Sequence, residues 1–199
     1  MAGIVGPVGF VGAWATAGAL TVGYSSVNDA ISELAGVGAP TRALMTGGFV
    51  CFGVAVPTYA LVLRRDLRGR AWLAAAISGA ATVGIAMVPL GASPTTDGVH
   101  NGLAALGYLS LVATPLLAVR PLIDAGRRRF AVLSGAVAAS AAGCLGATLA
   151  GPAHGLFQRL GLTLLDVWLV AGAFGAIRRA RPTSAAGRGP AQAQRSASS

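Results

Sequence analysis

The sequence predicts an all-α protein: a six-span transmembrane helical bundle with a short amphipathic helix between spans 1 and 2. Three observations lead there. Of 199 residues, 54% are hydrophobic and only 11% charged, against about 25% charged in an ordinary soluble domain. The mean hydropathy is +0.69. Apolar stretches of roughly twenty residues, the length that crosses a bilayer as a helix, recur along the whole chain.

Those stretches are residues 4–23, 42–63, 71–91, 101–119, 130–150 and 156–177. The first has no basic segment before it and no soluble domain after it, so it reads as a retained span rather than a cleaved signal. The second, third and fourth contain Pro57, Pro89 and Pro115. Membrane helices tolerate proline because neighbouring groups satisfy the freed carbonyl. GCLGATLAG (143–151) and GAFGA (172–176) offer small residues for close helix approach. Packing within the chain is the first use of such stripes, and a homo-oligomer contact is the second. Cys51 and Cys144 each lie inside an apolar run. With no CxxC spacing and no disulfide framework, they read as small buried apolar side chains.

Orientation comes from the arginines. All fifteen basic residues are Arg, a usage that fits a GC-rich bacterial genome. Four (Arg64, Arg65, Arg68, Arg70) lie between spans 2 and 3, and four (Arg120, Arg127, Arg128, Arg129) between spans 4 and 5. Five more (Arg178, Arg179, Arg181, Arg188, Arg195) follow span 6, leaving only Arg42 and Arg159 elsewhere. The positive-inside rule then places both termini in the cytoplasm of a multi-pass plasma-membrane protein. The lipid bilayer is the first partner. The net charge of +9 does not point to nucleic acid, because the arginines cluster at span ends without interleaved aromatics. Residues 1–180 form the membrane domain on this reading. Residues 181–199 form a disordered basic cytoplasmic tail, rich in Ala, Ser, Gly and Pro.

The three connections on the other side hold most of the remaining polar chemistry. The first, YSSVNDAISELAGVG (24–38), carries Asp29 and Glu33, two of only six carboxylates in the chain. They are four apart, so they share a face of a short helix. Ser26 three residues before Asp29 resembles a capping box. Val27, Ile31 and Leu34 supply the apolar side, which suggests an interfacial amphipathic helix lying over the bundle. In the second, GASPTTDGVHNG (91–102), Thr96 is a candidate N-cap, Asp97 suits the first helical turn, and His100 follows on the same face. In the third, GPAHGLFQRLG (151–161), Pro152 suits a first turn, and His154 and Gln158 share a face beside Arg159.

Three uses compete for these residues. In the first, carboxylates cap helix starts and one of them pairs with Arg159 to lock the loops. In the second, Asp29, Glu33 and Arg159, with Asp166, bind a lipid headgroup or a small polar ligand. In the third, Asp97, His100 and His154 hold a metal such as zinc, and a metal-bound water performs hydrolysis. No HExxH-like compact motif supports that last use. Asp166 stands apart, about ten residues into span 6. A carboxylate there costs about 2.5–3.5 kcal/mol on insertion scales. It lies about 10 Å of helical rise from Arg159, too far for an ion pair. It reads either as a proton-relay or ligand contact, or as a buried group hydrogen-bonded to a Ser, Thr or Trp of a neighbouring span, such as Ser78, Thr82 or Ser110.

Longer motifs add a resemblance. NDAISELAGVGAPTRALMTGGFVCFG (28–53), TDGVHNGLAALGYLSL (96–111) and GLFQRLG (155–161) resemble the signatures of the domain of unknown function 998 family, over roughly residues 8–178. That resemblance implies a bacterial or archaeal membrane protein of about six helices, with no established activity. A weaker similarity is to alkaline ceramidase-like membrane hydrolases, which hold zinc with a Ser, an Asp and three His at one membrane face. Ser25 or Ser26, Asp97, His100 and His154 match part of that set. A third His, an HxxxH pair in the last span and a seventh span are missing.

Overall fold

The computed structural model describes residues 1–149 and 151–180. The basic tail expected from residue 181 lies outside the described residues. Six α-helices follow one another: α1 (Ala2–Leu20), α2 (Arg42–Asp66), α3 (Ala71–Met87), α4 (Pro94–Asp124), α5 (Arg128–Leu149) and α6 (His154–Ala180). A short 3-10 helix, Ile31–Ala35, lies between α1 and α2. Five of the six helices are long and apolar enough to cross a membrane, and α3 is apolar but has 17 residues. Hydrocarbon offers the backbone no hydrogen bonds, so each apolar run satisfies its own backbone as a helix. The chain is a multi-pass membrane protein.

Several helix ends differ from the sequence expectation, each for a local reason. α3 stops at Met87 because Val88 precedes Pro89, and steric conflict with a following proline disfavours the helical region. Val88 accordingly sits at φ −121° and ψ 80°. Pro89 therefore lies beyond α3 rather than kinking it, whereas Pro57 and Pro115 do lie within α2 and α4. α4 starts earlier than expected. Ser93, not Thr96, is its N-cap, its Oγ accepting from Thr96 N at 3.1 Å, and Pro94 takes the first helical position. Pro152 precedes α6 rather than opening it, and the intervening Ala153 has φ 67°.

The expected amphipathic helix is shorter than the spacing suggested. Asp29 Oδ2 accepts from Ser25 N at 2.6 Å, and Glu33 Oε1 from Ala30 N at 3.1 Å. Each carboxylate thus turns the chain back on itself, leaving only Ile31–Ala35 as 3-10 helix. Its apolar side does face inward: Ile31 and Leu34 are fully buried, while Val27 stays exposed.

The helices pack in a ring. Each contacts its neighbour in sequence, and α6 closes the ring on α1. Phe10 of α1 packs between Phe49 and Phe52 of α2, with ring centroids 5.8 and 5.3 Å away. Trp168 of α6 stacks on Phe130 of α5 at 5.8 Å and donates Nε1–H to Ser134 Oγ at 2.8 Å. Close approach occurs elsewhere than in the 143–151 stripe, where a Cβ added at Gly143 or Gly146 would meet nothing. It occurs at Gly172 of the other stripe, where a Cβ would meet the Tyr59 hydroxyl, and between α2 and α3. A Cβ on Gly53 would lie 2.6 Å from Val83 Cγ2, and one on Gly79 would run into the Pro57 ring. Both cysteines are free and half-buried.

At one end of the ring, Asp66 ties three elements. It accepts from Arg127 at 2.7 and 3.2 Å, just before α5, and from Arg179 of α6 at 2.7 Å. At the other end the chain segments 21–41, 88–93 and 151–159 meet: Val37 N donates to Leu90 O at 2.8 Å and Leu156 N to Val27 O at 2.9 Å.

The α2–α3 crossing makes a prediction. Gly79→Ala forces a methyl against the rigid Pro57 ring and is expected to destabilise the detergent-solubilised protein by about 1–3 kcal/mol. Gly12→Ala, where a Cβ meets nothing within 4 Å, is expected to be neutral or stabilising, as Ala is the better helix former. Thermal unfolding of the two variants side by side checks this.

Candidate functional site

The loop end of the bundle is organised around Arg159. This residue lies in the second turn of α6 and is only 6% exposed. Its Nη1 donates to Ser26 O at 2.9 Å, Asp29 O at 3.0 Å and Gly155 O at 2.9 Å. Its Nη2 donates to the Tyr24 hydroxyl. The guanidinium lies 5.4 Å from the ring centroids of both Trp14 and Tyr24, within cation–π range. A buried cation needs such compensation, because leaving water costs several kcal/mol. Here most of it comes from carbonyl dipoles rather than from a carboxylate. The expected ion pair with Asp29 or Glu33 is not made; the ion pairs among the described residues involve Asp66 and Asp124 only.

The neighbouring groups complete this arrangement. Tyr24 donates to Ala30 O at 3.0 Å. Gln158 Oε1 accepts from Ile31 N at 2.8 Å, fixing the start of the 3-10 helix to α6. Thr41 donates to Leu34 O at 3.1 Å, fixing its end. Gly155 is required where the loop lies directly on α6: a Cβ there would collide with Asp29 O.

The candidate ligand-binding residues Asp29, Glu33, Arg159 and Asp166 differ in their surroundings. Asp29 and Glu33 bond to local backbone N–H groups, as described above. Asp166 is 3% exposed, and both its carboxyl oxygens are buried without a hydrogen-bond partner. Two of the three expected partners donate elsewhere. Thr82 donates to Ser78 O at 2.9 Å, and Ser110 donates to Leu106 O, each within its own helix.

The candidate metal ligands are likewise separated by their local bonds. Asp97 Oδ1 accepts from Gly91 N at 2.8 Å, closing the turn before α4. His100, 1% exposed, places Nδ1 2.6 Å from Val88 O. A carbonyl only accepts, so Nδ1 carries the proton and Nε2 is left buried without a partner. His154 opens α6 and is half-buried. Among the described residues no three of His, Cys, Asp and Glu are grouped closely enough to hold a metal ion. Asp97, His100 and His154 are not grouped in that way among the described residues.

Against this geometry, the family "Protein of unknown function (DUF998)" matches residues 4–175. The chain belongs to the DUF998 family. Neither curated proteins nor solved structures give a match. In this DUF998 protein, sequence reasoning found Arg159 and Gln158 but missed Tyr24 and Trp14 as their partners. Tyr24 opens the quoted loop motif, and its aromatic ring beside a long polar segment was the available signal.

Burial raises the Tyr24 phenol above its ordinary pKa, and Arg159 works in the opposite direction. A raised phenol pKa favours the neutral form in the folded state. Its contribution to stability is complete below the unfolded value of about 10 and is lost as pH rises through the folded value. The melting temperature is therefore expected to fall above about pH 10 more steeply in the parent than in Tyr24→Phe. Equal slopes would remove Tyr24 from the account.

Proposed function

We propose that this DUF998 protein is a non-catalytic multi-pass protein of the bacterial plasma membrane. Its arginine-rich end and both termini face the cytoplasm, and its outward polar cluster serves to lock the loops onto the bundle. The observation that carries this reading is the commitment of Arg159. Both terminal nitrogens are bonded to carbonyls and to Tyr24, and the remaining Nε is buried without a hydrogen-bond partner. A guanidinium that recognises a headgroup instead turns free donors toward an opening.

The lock holds the 3-10 helix over a small interior cavity of about 40 Å³ lined in part by Ser32, Ser78, Tyr108 and Gln158. That volume suits a water or two rather than a substrate. Hydrolysis at this face is disfavoured by the local bonding of Asp97 and His100, which leaves no convergent base and ligand set. Orientation rests on the arginines: residues 64–70 and 120–129 flank two connections on the same side.

Arg159→Ala leaves buried carbonyls without a donor and is expected to cost roughly 2–4 kcal/mol of stability. Arg159→Lys is expected to recover only part of it, since an ammonium lacks the planar fork. Thermal unfolding in detergent measures both. A parent-like melting temperature for Arg159→Ala would overturn the lock. For orientation, alkaline phosphatase fused after residue 180 is expected to be inactive, and the same reporter inserted after Gly38 active. The reverse pattern would invert the assignment.

A further inference from the structure

A cavity of about 570 Å³ lies at the opposite end from the lock, within the range of small-molecule sites. Its lining divides in two. One part is cationic: Arg127, Arg128, Arg129 and Arg179, with Asp66 as the single acid. The other is apolar and aromatic, and includes Leu63, Leu122, Phe130 and Trp168.

The charges there are unevenly matched. Asp66 engages Arg127 and Arg179. The only other acid at this end, Asp124, pairs with Arg120. Arg128 and Arg129 make no ion pair among the described residues. They also stand at the start of α5, whose first turn carries no acidic residue. A helix N-terminus is itself positive and favours an anion. Two unpaired guanidiniums there are mutually unfavourable until an anion joins them.

A second observation is independent of charge. Tyr59 is 3% exposed and lines this cavity. Its hydroxyl lies against Gly172, where an added Cβ would come within 2.7 Å of it. A phenol hydroxyl lining the cavity can donate to an anion held there.

We propose that this cavity binds the phosphate-bearing headgroup of an anionic phospholipid, with Arg128 and Arg129 on the phosphate, Tyr59 donating to it, and the first acyl segments against Phe130 and Leu122. The apolar wall selects a lipid over free phosphate, which would leave that wall uncovered. The positive-inside rule accounts for arginines at this end of the bundle, but not for four of them around one aromatic-floored cavity. The inference does not depend on the Arg159 lock.

The test uses the full chain in mild detergent and native mass spectrometry. Phosphatidylglycerol and phosphatidylcholine of equal acyl length are the probes. Three variants accompany the parent: Arg128→Gln/Arg129→Gln, Tyr59→Phe, and Arg68→Gln/Arg70→Gln. The last removes the same charge from exposed positions outside the cavity. Phosphatidylglycerol is expected to bind the parent on the order of tenfold more tightly than phosphatidylcholine. That preference is expected to be lost in the Arg128/Arg129 variant, weakened in Tyr59→Phe and retained in the Arg68/Arg70 variant. Melting temperatures confirm that each variant is folded, and Tyr59→Phe carries the test if the arginine variant is not. Equal binding of the two lipids, or equal loss in both arginine variants, would overturn the site. Millimolar inorganic phosphate that binds the parent without lipid and displaces phosphatidylglycerol would make free phosphate the occupant and overturn the lipid assignment.

Discussion

Hydrocarbon cannot hydrogen-bond a backbone, and the architecture follows from that constraint. Each apolar run must close its own hydrogen bonds as a helix, so polar loops are confined to the two ends. The ring closure of α6 on α1 then brings connections that are distant in sequence to common ends. Residues 24–30 and 155–159 meet only because an even number of helices returns the chain to where it began. Arg159 can reach Ser26 and Asp29 carbonyls for this reason alone.

The two ends use arginine in opposite ways. Arg159 is desolvated, and its partners are fixed carbonyls, a hydroxyl and two aromatic faces. Such a group holds a structure together but has little to offer a ligand. Asp66 shows an intermediate case, where one carboxylate joins the end of α2, the α4–α5 turn and α6. Arg128 and Arg129 are at the other extreme, exposed and without an acidic partner. Exposed charges contribute little to stability, so their placement around a cavity is not explained by folding energetics.

The sequence made the helices legible because hydropathy over a twenty-residue window is a strong signal, and a lone loop residue cannot overturn it. Boundaries were less legible. Pro89 was included in a span because it lies in an apolar stretch, yet its steric effect on Val88 ends α3 before it. The short 3-10 helix was read as a longer helix because Asp29 and Glu33 are four apart. That spacing is equally served by two successive turns in which each carboxylate bonds a backbone N–H three or four residues before it. The candidate zinc ligands meet similar competition. Asp97 and His100 share a helix face, but each is taken by the turn before α4, and residue types alone do not show such local competition. Tyr59 and Trp168 were invisible as cavity residues because they lie deep within apolar runs, where an aromatic reads as core.

Asp166 resists the logic that explains the rest. Several buried hydroxyls in the helices close on their own backbone one turn earlier, as Thr82 does on Ser78 O and Thr114 on Ser110 O, both at 2.9 Å. Asp166 cannot do so, because a carboxylate has no donor for a carbonyl unless it is protonated. It is flanked by Leu165, Trp168 and Leu169, all nearly fully buried, so packing around it is dense and no solvent reaches it. An apolar side chain of similar volume would satisfy that packing without the desolvation cost. The side chain therefore costs the fold stability at the centre of α6.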